Sequence, residues 1–357
     1  MKKIALLSYY SGIVDRGVET FVSEISKRLA KDFDLTVYMA GKIDLQKYKT
    51  RQIKSPRMKP RAAKGFFGKF YLDRQSLYIL IFTLFLIPKL MREKYDLIVP
   101  VNGGWQIVLV KIFTMLTKPK MLVTGHAGIG GDDAWNILWR PDIFVALTSA
   151  QAAWARRLAE DLKVTVIPNG VDLHRFNPKI AAVAIALPKP IIVCASALVP
   201  YKRLDLTIRA VAKAKNLSLL VIGEGELQGA IDSLGKRLLG ARYARIVVPH
   251  EKIPGYYRAG KLFTLASETE AFGISYVEAM ACNLPIVTTK DRSRAEIVGG
   301  AGVLVNTKNI NRYAKALSYV ARANFKNQPY NQALKFSWNK IAQKYSTLIK
   351  SLTTGGN

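Results

Sequence analysis

The stretch Lys261-Leu262-Phe263-Thr264-Leu265-Ala266-Ser267-Glu268-Thr269-Glu270-Ala271-Phe272-Gly273-Ile274-Ser275-Tyr276-Val277-Glu278-Ala279-Met280-Ala281 runs through three patterns in succession. Lys261 to Ala266 reads as a buried strand. After a short polar loop, Gly273 opens a helix that runs to about Cys282, before Pro285 restricts it. On a wheel of 3.6 residues per turn Ile274, Val277 and Ala281 form the apolar face, and Glu278 falls within it. A carboxylate there calls for donors, either ligand hydroxyls or a basic side chain, because an unpaired buried charge is strongly unfavourable. An internal arginine meeting the glutamate for structural reasons alone would satisfy the same demand. The free amides of Phe272, Gly273 and Ile274 at the helix start suit a phosphate. A carboxylate for hydroxyls beside amides for phosphate points to a nucleotide sugar.

The same strand and helix alternation extends in both directions. Apolar runs at Ile4–Ser8, Leu35–Met39, Leu97–Val101, Met121–Thr124, Ile143–Leu147 and Val164–Ile167 occupy the first half. Runs at Ile191–Ser196, Ser218–Ile222, Arg245–Val248, Leu262–Ala266, Pro285–Thr289 and Val303–Val305 occupy the second. Such alternation predicts an α/β protein of two doubly wound domains with mainly parallel sheets. Ligands of such sheets bind at the carboxyl ends of the strands, so a cleft between the domains is the expected site. The boundary is expected between Asn177 and Pro190, where Pro178, Pro188 and Pro190 interrupt regular structure. That gives a first domain over 1–177, a second over 178–328, and a C-terminal helical segment over 329–357 that crosses back onto the first.

With 357 residues, 50% of them hydrophobic and 22% charged, the chain is globular rather than disordered. Its two cysteines, Cys194 and Cys282, sit in apolar contexts without metal-ligand spacing and read as buried thiols of a reducing cytoplasm. Met1-Lys2-Lys3 and the apolar residues after them could pass for a short secretory start. Asp15 and Arg16 stand where a small-residue cleavage site would be, so a first buried strand is the better reading. The strongest apolar run, Leu77 to Ile87, is shorter than the roughly 18 residues that span a bilayer, so no crossing is expected.

The formal net charge of +29 is extreme. Between Lys42 and Arg74 eleven Lys or Arg stand against two Asp, with Tyr48, Phe66, Phe67, Phe70 and Tyr71 interleaved. Immediately before an apolar run, this stretch suits an anionic membrane surface; a solvated basic loop before a buried helix is the alternative. Nucleic acid ranks below both, since the basic excess is spread over both halves and no nucleic-acid-binding motif occurs.

Several motifs in order resemble the retaining GT-B glycosyltransferases, glycosyltransferase family 4 in particular, over nearly the whole chain. Glu270 and Glu278 are similar to that family's pair of glutamates with seven residues between them, followed by Leu284-Pro285-Ile286-Val287. Further matches are Pro168-Asn169-Gly170-Val171-Asp172 with Phe176, Leu198-Val199-Pro200-Tyr201-Lys202-Arg203, Val221-Ile222-Gly223-Glu224-Gly225, and Glu296-Ile297-Val298 with Gly302. The resemblance implies a GT-B fold and a hexosyltransferase that needs no metal, with a UDP- or GDP-sugar as co-substrate. It assigns Glu270 to sugar hydroxyls and Glu278 to ribose hydroxyls. Lys202 and the Gly273 helix start, with Phe272 and Ile274, fall to the diphosphate, and His126 to the reacting sugar. His126, Lys202 and Glu270 are thus the catalytic candidates. Val248, next to Pro249 and His250, resembles the backbone stretch that meets the nucleobase; His174 and His250 themselves have no such support.

Two departures from the family pattern stand out. Ser196-Ala197 replaces a Gly-Arg pair, so one phosphate-binding arginine is absent and Arg203 is the candidate to replace its charge. Arg16-Gly17-Val18-Glu19 keeps one glycine of a Gly-Gly-x-Glu loop, where Gly17 would admit close backbone approach of phosphate or acceptor. Arg16 either adds a cation there or points to solvent. Asp32-Phe33-Asp34 has metal-pair spacing but reads as a solvated turn, and Asp132-Asp133 either helps bind acceptor or is plain loop acid.

The expected function is transfer of one hexose to a hydroxyl acceptor, a lipid-linked saccharide or lipid at the cytoplasmic membrane face. A front-face reaction would account for retention, with the departing phosphate taking the acceptor's proton. The alternatives are a soluble transferase making a free oligosaccharide or glycoside, and an inactive lipid- or nucleic-acid-binding protein on the same scaffold.

Overall fold

The computed structural model describes residues 1–14, 16–42, 48–58 and 71–354. They form two compact units: Met1–Asn169 together with Trp338–Asn357, and Gly170–Ser337. The division therefore falls at Asn169 and Gly170, ahead of the proline-rich stretch that suggested 177/178. The segment 328–337 stays with the second unit, and the return to the first begins at Trp338.

In the first unit seven strands run β1 Lys3–Ser8, β2 Asp34–Met39, β3 Lys49–Gln52, β4 Leu97–Pro100, β5 Lys120–Thr124, β6 Ile143–Ala146 and β7 Val164–Val166. Their order is β3-β2-β1-β4-β5-β6-β7, and every pairing is parallel. Helices α1 Gly17–Leu29, α2 Arg74–Glu93, α3 Trp105–Thr117, α4 Gly131–Leu138 and α5 Ser149–Leu158 connect them. Alternation along the strands feeds two separate cores. Ala5 and Leu7 pack with Ile79, Phe82, Leu86 and Leu90 of α2 and Ile107, Val110 and Phe113 of α3. Ile4 and Leu6 pack on the other face with Phe21, Val22 and Ile25 of α1.

The C-terminal helix, Trp338–Thr354, joins that second core through Trp338, Ile341, Tyr345 and Ile349. Its Ser346 hydroxyl donates to Asp32 Oδ2 at 2.8 Å, and Arg28 Nε donates to Asn339 Oδ1 at 2.7 Å. Asp32 lies exposed in the turn before β2, as its sequence suggested, and from there it accepts the hydrogen bond of the returning helix. β3 was not foreseen: its Lys-Thr-Arg-Gln sequence has no apolar run, because it forms the edge of the sheet and pairs on one side only. Of the basic segment 42–74, residues 43–47 and 59–70, including Phe66, Phe67 and Phe70, lie outside the described residues.

The second unit carries β8 Ile191–Ala195, β9 Ser218–Ile222, β10 Tyr243–Ile246, β11 Leu262–Leu265, β12 Ile286–Thr289 and β13 Gly302–Val305, in the order β10-β9-β8-β11-β12-β13. All are parallel again. The helices are α6 Leu204–Lys213, α7 Gln228–Leu239, α8 Ile253–Ala259, α9 Ile274–Ala281, α10 Arg292–Val298, α11 Ile310–Arg322 and α12 Gln328–Ala333. Cys194 and Cys282 are both buried and free, and burial pushes each thiol up to about 12. Both are packing residues.

Candidate active site

Strand order reverses between β8 and β11 in the second unit, and in doubly wound sheets the crevice outside the carboxyl ends of the strands at such a reversal is where ligands bind. The two loops that leave those strands carry the expected donor residues. After β8 the chain passes Ser196, makes a single 3-10 turn at Pro200–Lys202, and enters α6 through Arg203, which adopts a left-handed backbone at φ 48°. After β11 it passes Ser267 to Phe272 and enters α9 through Gly273.

The loops are tied to each other. Glu268 N donates to Tyr201 O at 2.8 Å, and Lys202 Nζ donates to Glu270 Oε1 at 2.7 Å. Both members of that ion pair are largely shielded, so each holds the other's charge where water is scarce. Arg203 is engaged by Asp205, at 3.0 and 3.1 Å, and by Glu268 at 2.7 Å. These two carboxylates already take up the charge assigned to the absent family arginine. Ser196 donates its hydroxyl to the neighbouring Ala197 carbonyl, at 3.2 Å.

Gly273 shows why the loop needs that residue. Its φ is 84°, and a Cβ there would sit 2.4 Å from the Tyr276 ring. Only glycine turns the chain into α9 with free amides at the mouth while Tyr276 fills the space behind. Phe272 is buried against Phe336 at a ring-centroid distance of 5.7 Å, fixing the loop from below. Gly223, in the loop after β9, answers a similar demand: a Cβ would lie 2.1 Å from the Ser196 carbonyl oxygen.

Glu278 is 6% exposed. Its partners are His250 Nε2, 2.7 Å from Oε1, and the Tyr257 hydroxyl, 3.5 Å from Oε2. The basic side chain demanded by a carboxylate on the apolar face is therefore a histidine and not an arginine. His250 opens the 3-10 turn His250–Lys252, two residues after half-buried Val248, so the stretch assigned to the nucleobase stands at the buried glutamate. Sequence reading passed over His250 because nothing in its spacing ties it to Glu278; the contact exists only across the fold.

Arg294 was also missed. It is 2% exposed, donates to the Ser267 carbonyl at 2.8 Å and to the Tyr276 hydroxyl at 3.3 Å, and pairs with Asp291. It braces the loop that presents Glu270. The Asp291-x-x-Arg294 spacing announces a helix cap, which Asp291 provides, but no periodicity discloses a guanidinium aimed inward.

In the first unit the reversal lies between β1 and β4. Gly17 is the first residue of α1, after the loop from β1, and is exposed. Arg16 stands at the position just before that helix, bonds twice to Glu19 at 3.1 and 3.2 Å, and lies 4.7 Å over the Tyr10 ring. His126, in the loop after β5, lies with its ring centroid 4.5 Å from that of Phe21 of the same helix, the two rings tilted by 58°. Its residue surface is partly open, yet Nε2 is sealed and has no hydrogen-bond partner among the described residues. Burial lowers its pKa to about 4, so the ring is neutral at pH 7. Asp133 holds the His126 loop: its Oδ2 accepts from Gly128 N at 2.8 Å and from Gln151 Nε2 at 2.9 Å, and Oδ1 accepts from Asn136 at 3.1 Å. Burial raises Asp133 to about 7. Asp132 instead accepts from the Tyr71 hydroxyl at 2.8 Å. Among the described residues, no group of three or more His, Cys, Asp or Glu has the geometry of a metal site.

The family profile described as Glycosyltransferase Family 4 matches residues 16–175, and that described as Glycosyl transferases group 1 matches residues 176–335. The chain is 27% identical over 288 residues to D-inositol 3-phosphate glycosyltransferase 2 of Catenulispora acidiphila, covering 70% of this chain and 67% of that protein. It is 27% identical over 172 residues to the GDP-mannose-dependent alpha-(1-6)-phosphatidylinositol monomannoside mannosyltransferase of Mycolicibacterium smegmatis, covering 42% of this chain but only 45% of the relative's length. Among solved structures, sucrose-phosphate synthase from Thermosynechococcus elongatus superposes with a TM-score of 0.82 at 20% identity, over 100% of both chains. HepE of Anabaena, in complex with UDP and glucose, superposes with a TM-score of 0.75 at 18% identity, over 98% of this chain and 100% of that one. Two profiles in tandem from residue 16 to residue 335, on two parallel-sheet domains shared at full length with solved GT-B enzymes, place the chain in glycosyltransferase family 4 as a GT-B glycosyltransferase.

Proposed function

We propose that the protein moves one hexose from a UDP- or GDP-sugar to a hydroxyl of a lipid-linked saccharide or lipid at the cytoplasmic face of the membrane, with retention of configuration and without a metal ion. The observation that carries the donor side is the Lys202–Glu270 pair, 2.7 Å apart on the two loops that leave the strands at the reversal. Each is a ready partner for one end of a nucleotide sugar. When the donor enters, the Lys202 ammonium exchanges Glu270 for the diphosphate, and the freed carboxylate accepts hydrogen bonds from sugar hydroxyls. The amides at the Gly273 helix start add donors to the same phosphates. Glu278, held by His250, receives the ribose hydroxyls. As the bond from the anomeric carbon to the phosphate oxygen breaks, negative charge grows on that oxygen, and Lys202 stabilises it. The acceptor hydroxyl attacks the anomeric carbon from the same side, and its proton passes to the departing phosphate. His126, neutral and with Nε2 unpartnered, is the first domain's candidate for a sugar hydroxyl.

HepE, solved with UDP and glucose, supports a UDP-sugar, and the mycolicibacterial relative, named for GDP-mannose and a phosphatidylinositol glycan, supports a GDP-sugar and a lipid acceptor. Thermal unfolding with UDP or GDP decides the base, since a ligand of the folded state raises apparent stability with its affinity. Anomeric NMR of the product then decides retention, EDTA treatment decides metal independence, and cell fractionation decides location. A chain stabilised by neither nucleotide, or an inverted product, would sink the reading.

A further inference from the structure

The transfer chemistry leaves one surface of the first domain unused. α2 is apolar on all sides: Ile79, Phe82, Leu86 and Leu90 enter the core, while Leu77, Leu84, Phe85 and Met91 stand exposed. Leu77, Leu84 and Met91 recur every seventh residue and so lie along one line of the helix. By length and composition α2 is the one described helix able to cross a bilayer, yet 33% of its most apolar window is buried in the domain. It is fixed by one stripe to the sheet and open along the other. α3 packs beside it and adds Ile112, Met115 at 72% exposure and Leu116 at 78%. A helix apolar all round belongs in a core or in lipid, and apolar patches of this kind mark interaction surfaces.

Charge decides what covers it. The charged residues within α2 and α3 are Arg74, Lys89, Arg92, Lys111 and a single acid, Glu93, which is paired with Arg51. Lys94 and Lys118 follow the two helix ends. A second copy of a chain with net charge +29 would press one cationic rim against another, whereas anionic head groups complement it.

We propose that the outward faces of α2 and α3 are a membrane-docking surface, with Leu84, Phe85, Met115 and Leu116 entering the boundary between head groups and acyl chains of an anionic bilayer and Lys89, Arg92 and Lys118 meeting lipid phosphates. This names the surface on which the acceptor is met and rests on the transfer reading for its purpose. The test is co-sedimentation of the full chain with vesicles of phosphatidylcholine alone and of phosphatidylcholine with phosphatidylglycerol. The wild type binds the anionic vesicles, and part of that binding survives high salt because it comes from insertion. Leu84→Glu with Met115→Glu lowers the partition about tenfold or more, with an unchanged thermal midpoint, because both side chains are exposed. Lys89→Ser with Arg92→Ser removes only the salt-sensitive part. Unchanged binding by the Leu84→Glu, Met115→Glu protein, or a wild type that ignores anionic vesicles, overturns the proposal. So does a concentration-dependent dimer in sedimentation that the same substitutions abolish, which would give the face to a second copy. Stabilisation by UDP or GDP is measured in parallel: vesicle binding that is lost in the variant, without any nucleotide effect, supports the surface and sinks only the transfer reading.

Discussion

The loops after β8 and β11 of the second domain and the His126 ring of the first meet their surroundings in different ways. In the second, Lys202 faces Glu270, His250 faces Glu278, and Arg203 lies between Asp205 and Glu268. In the first, the Nε2 of His126 is shielded from water and has no hydrogen-bond partner among the described residues. A pre-paired site is stable when empty, and a ligand enters it by exchange of partners; an unpartnered nitrogen gains its first hydrogen bond only when a ligand arrives. Under the proposed function, the second domain's site would hold its charge at rest, and His126 would gain a partner only with a ligand hydroxyl.

The largest effect expected from that contrast is at Lys202. Lys202→Ala leaves Glu270 shielded and unpaired as well as removing the phosphate cation, so transfer should fall on the order of 10²- to 10³-fold. If exchange of partners is real, Lys202→Ala with Glu270→Ala should cost clearly less than the two single losses multiplied, as measured by kcat/KM in a double-mutant cycle. Full multiplicativity would mean that the two act separately. Next, Glu278→Gln and His250→Ala should each weaken nucleotide binding roughly tenfold and the pair together little further, read by calorimetry. Gly273→Ala forces a left-handed alanine against Tyr276 and should lower stability by about 1–3 kcal/mol in urea unfolding while loosening phosphate binding.

The smallest effect is the sharpest for the first domain. His126 has a folded pKa of about 4, below its ordinary value of 6.5, so the unfolded chain binds its proton first and stability drains away as pH falls from 6.5 to 4. Asp133, raised from 3.8 to about 7, does the reverse: the folded chain holds the proton, and stability declines as pH rises from 4 to 7. One loop thus carries two opposed dependences that mask each other. His126→Gln should leave a chain that gains stability on acidification relative to wild type, and Asp133→Asn one that loses it, each on the order of 1–3 kcal/mol by denaturant titration across that range. Parallel pH curves for all three proteins would show that neither group is buried in the way described.

Twelve of the thirteen described strands were legible, because central parallel strands are apolar on both faces and announce themselves as runs such as Ser218–Ile222. Lys49–Gln52 was not, since an edge strand borrows its order from one neighbour and has no pattern of its own. β10 begins at Tyr243, two residues before the expected Arg245, because the half-buried strand carries Arg245 within it, paired to Asp232. Of the candidate site, the helix start at Gly273 and the place of Glu278 on the apolar face were legible in the local pattern, and Glu270 and Lys202 were singled out through the family resemblance. His250, Arg294 and Asp133 were not: each acts through a partner remote in sequence or through burial. The run Leu77–Ile87 gave the apolar length of α2 but not its reach to Glu93, since Pro88 lies inside the helix and is tolerated there.

The return of Trp338–Thr354 to the first domain has a consequence for biosynthesis. Residues 170–337 make up the second domain without interruption and can close as soon as they leave the ribosome. The first domain, begun earlier, waits for Trp338, Ile341 and Tyr345 to cover Phe21 and Ile25, so the oldest part of the chain is the last to be sealed. A nascent chain stalled at Ser337 would carry a finished second domain and, on the first, an open apolar groove, the form in which a chaperone or a protease would meet it.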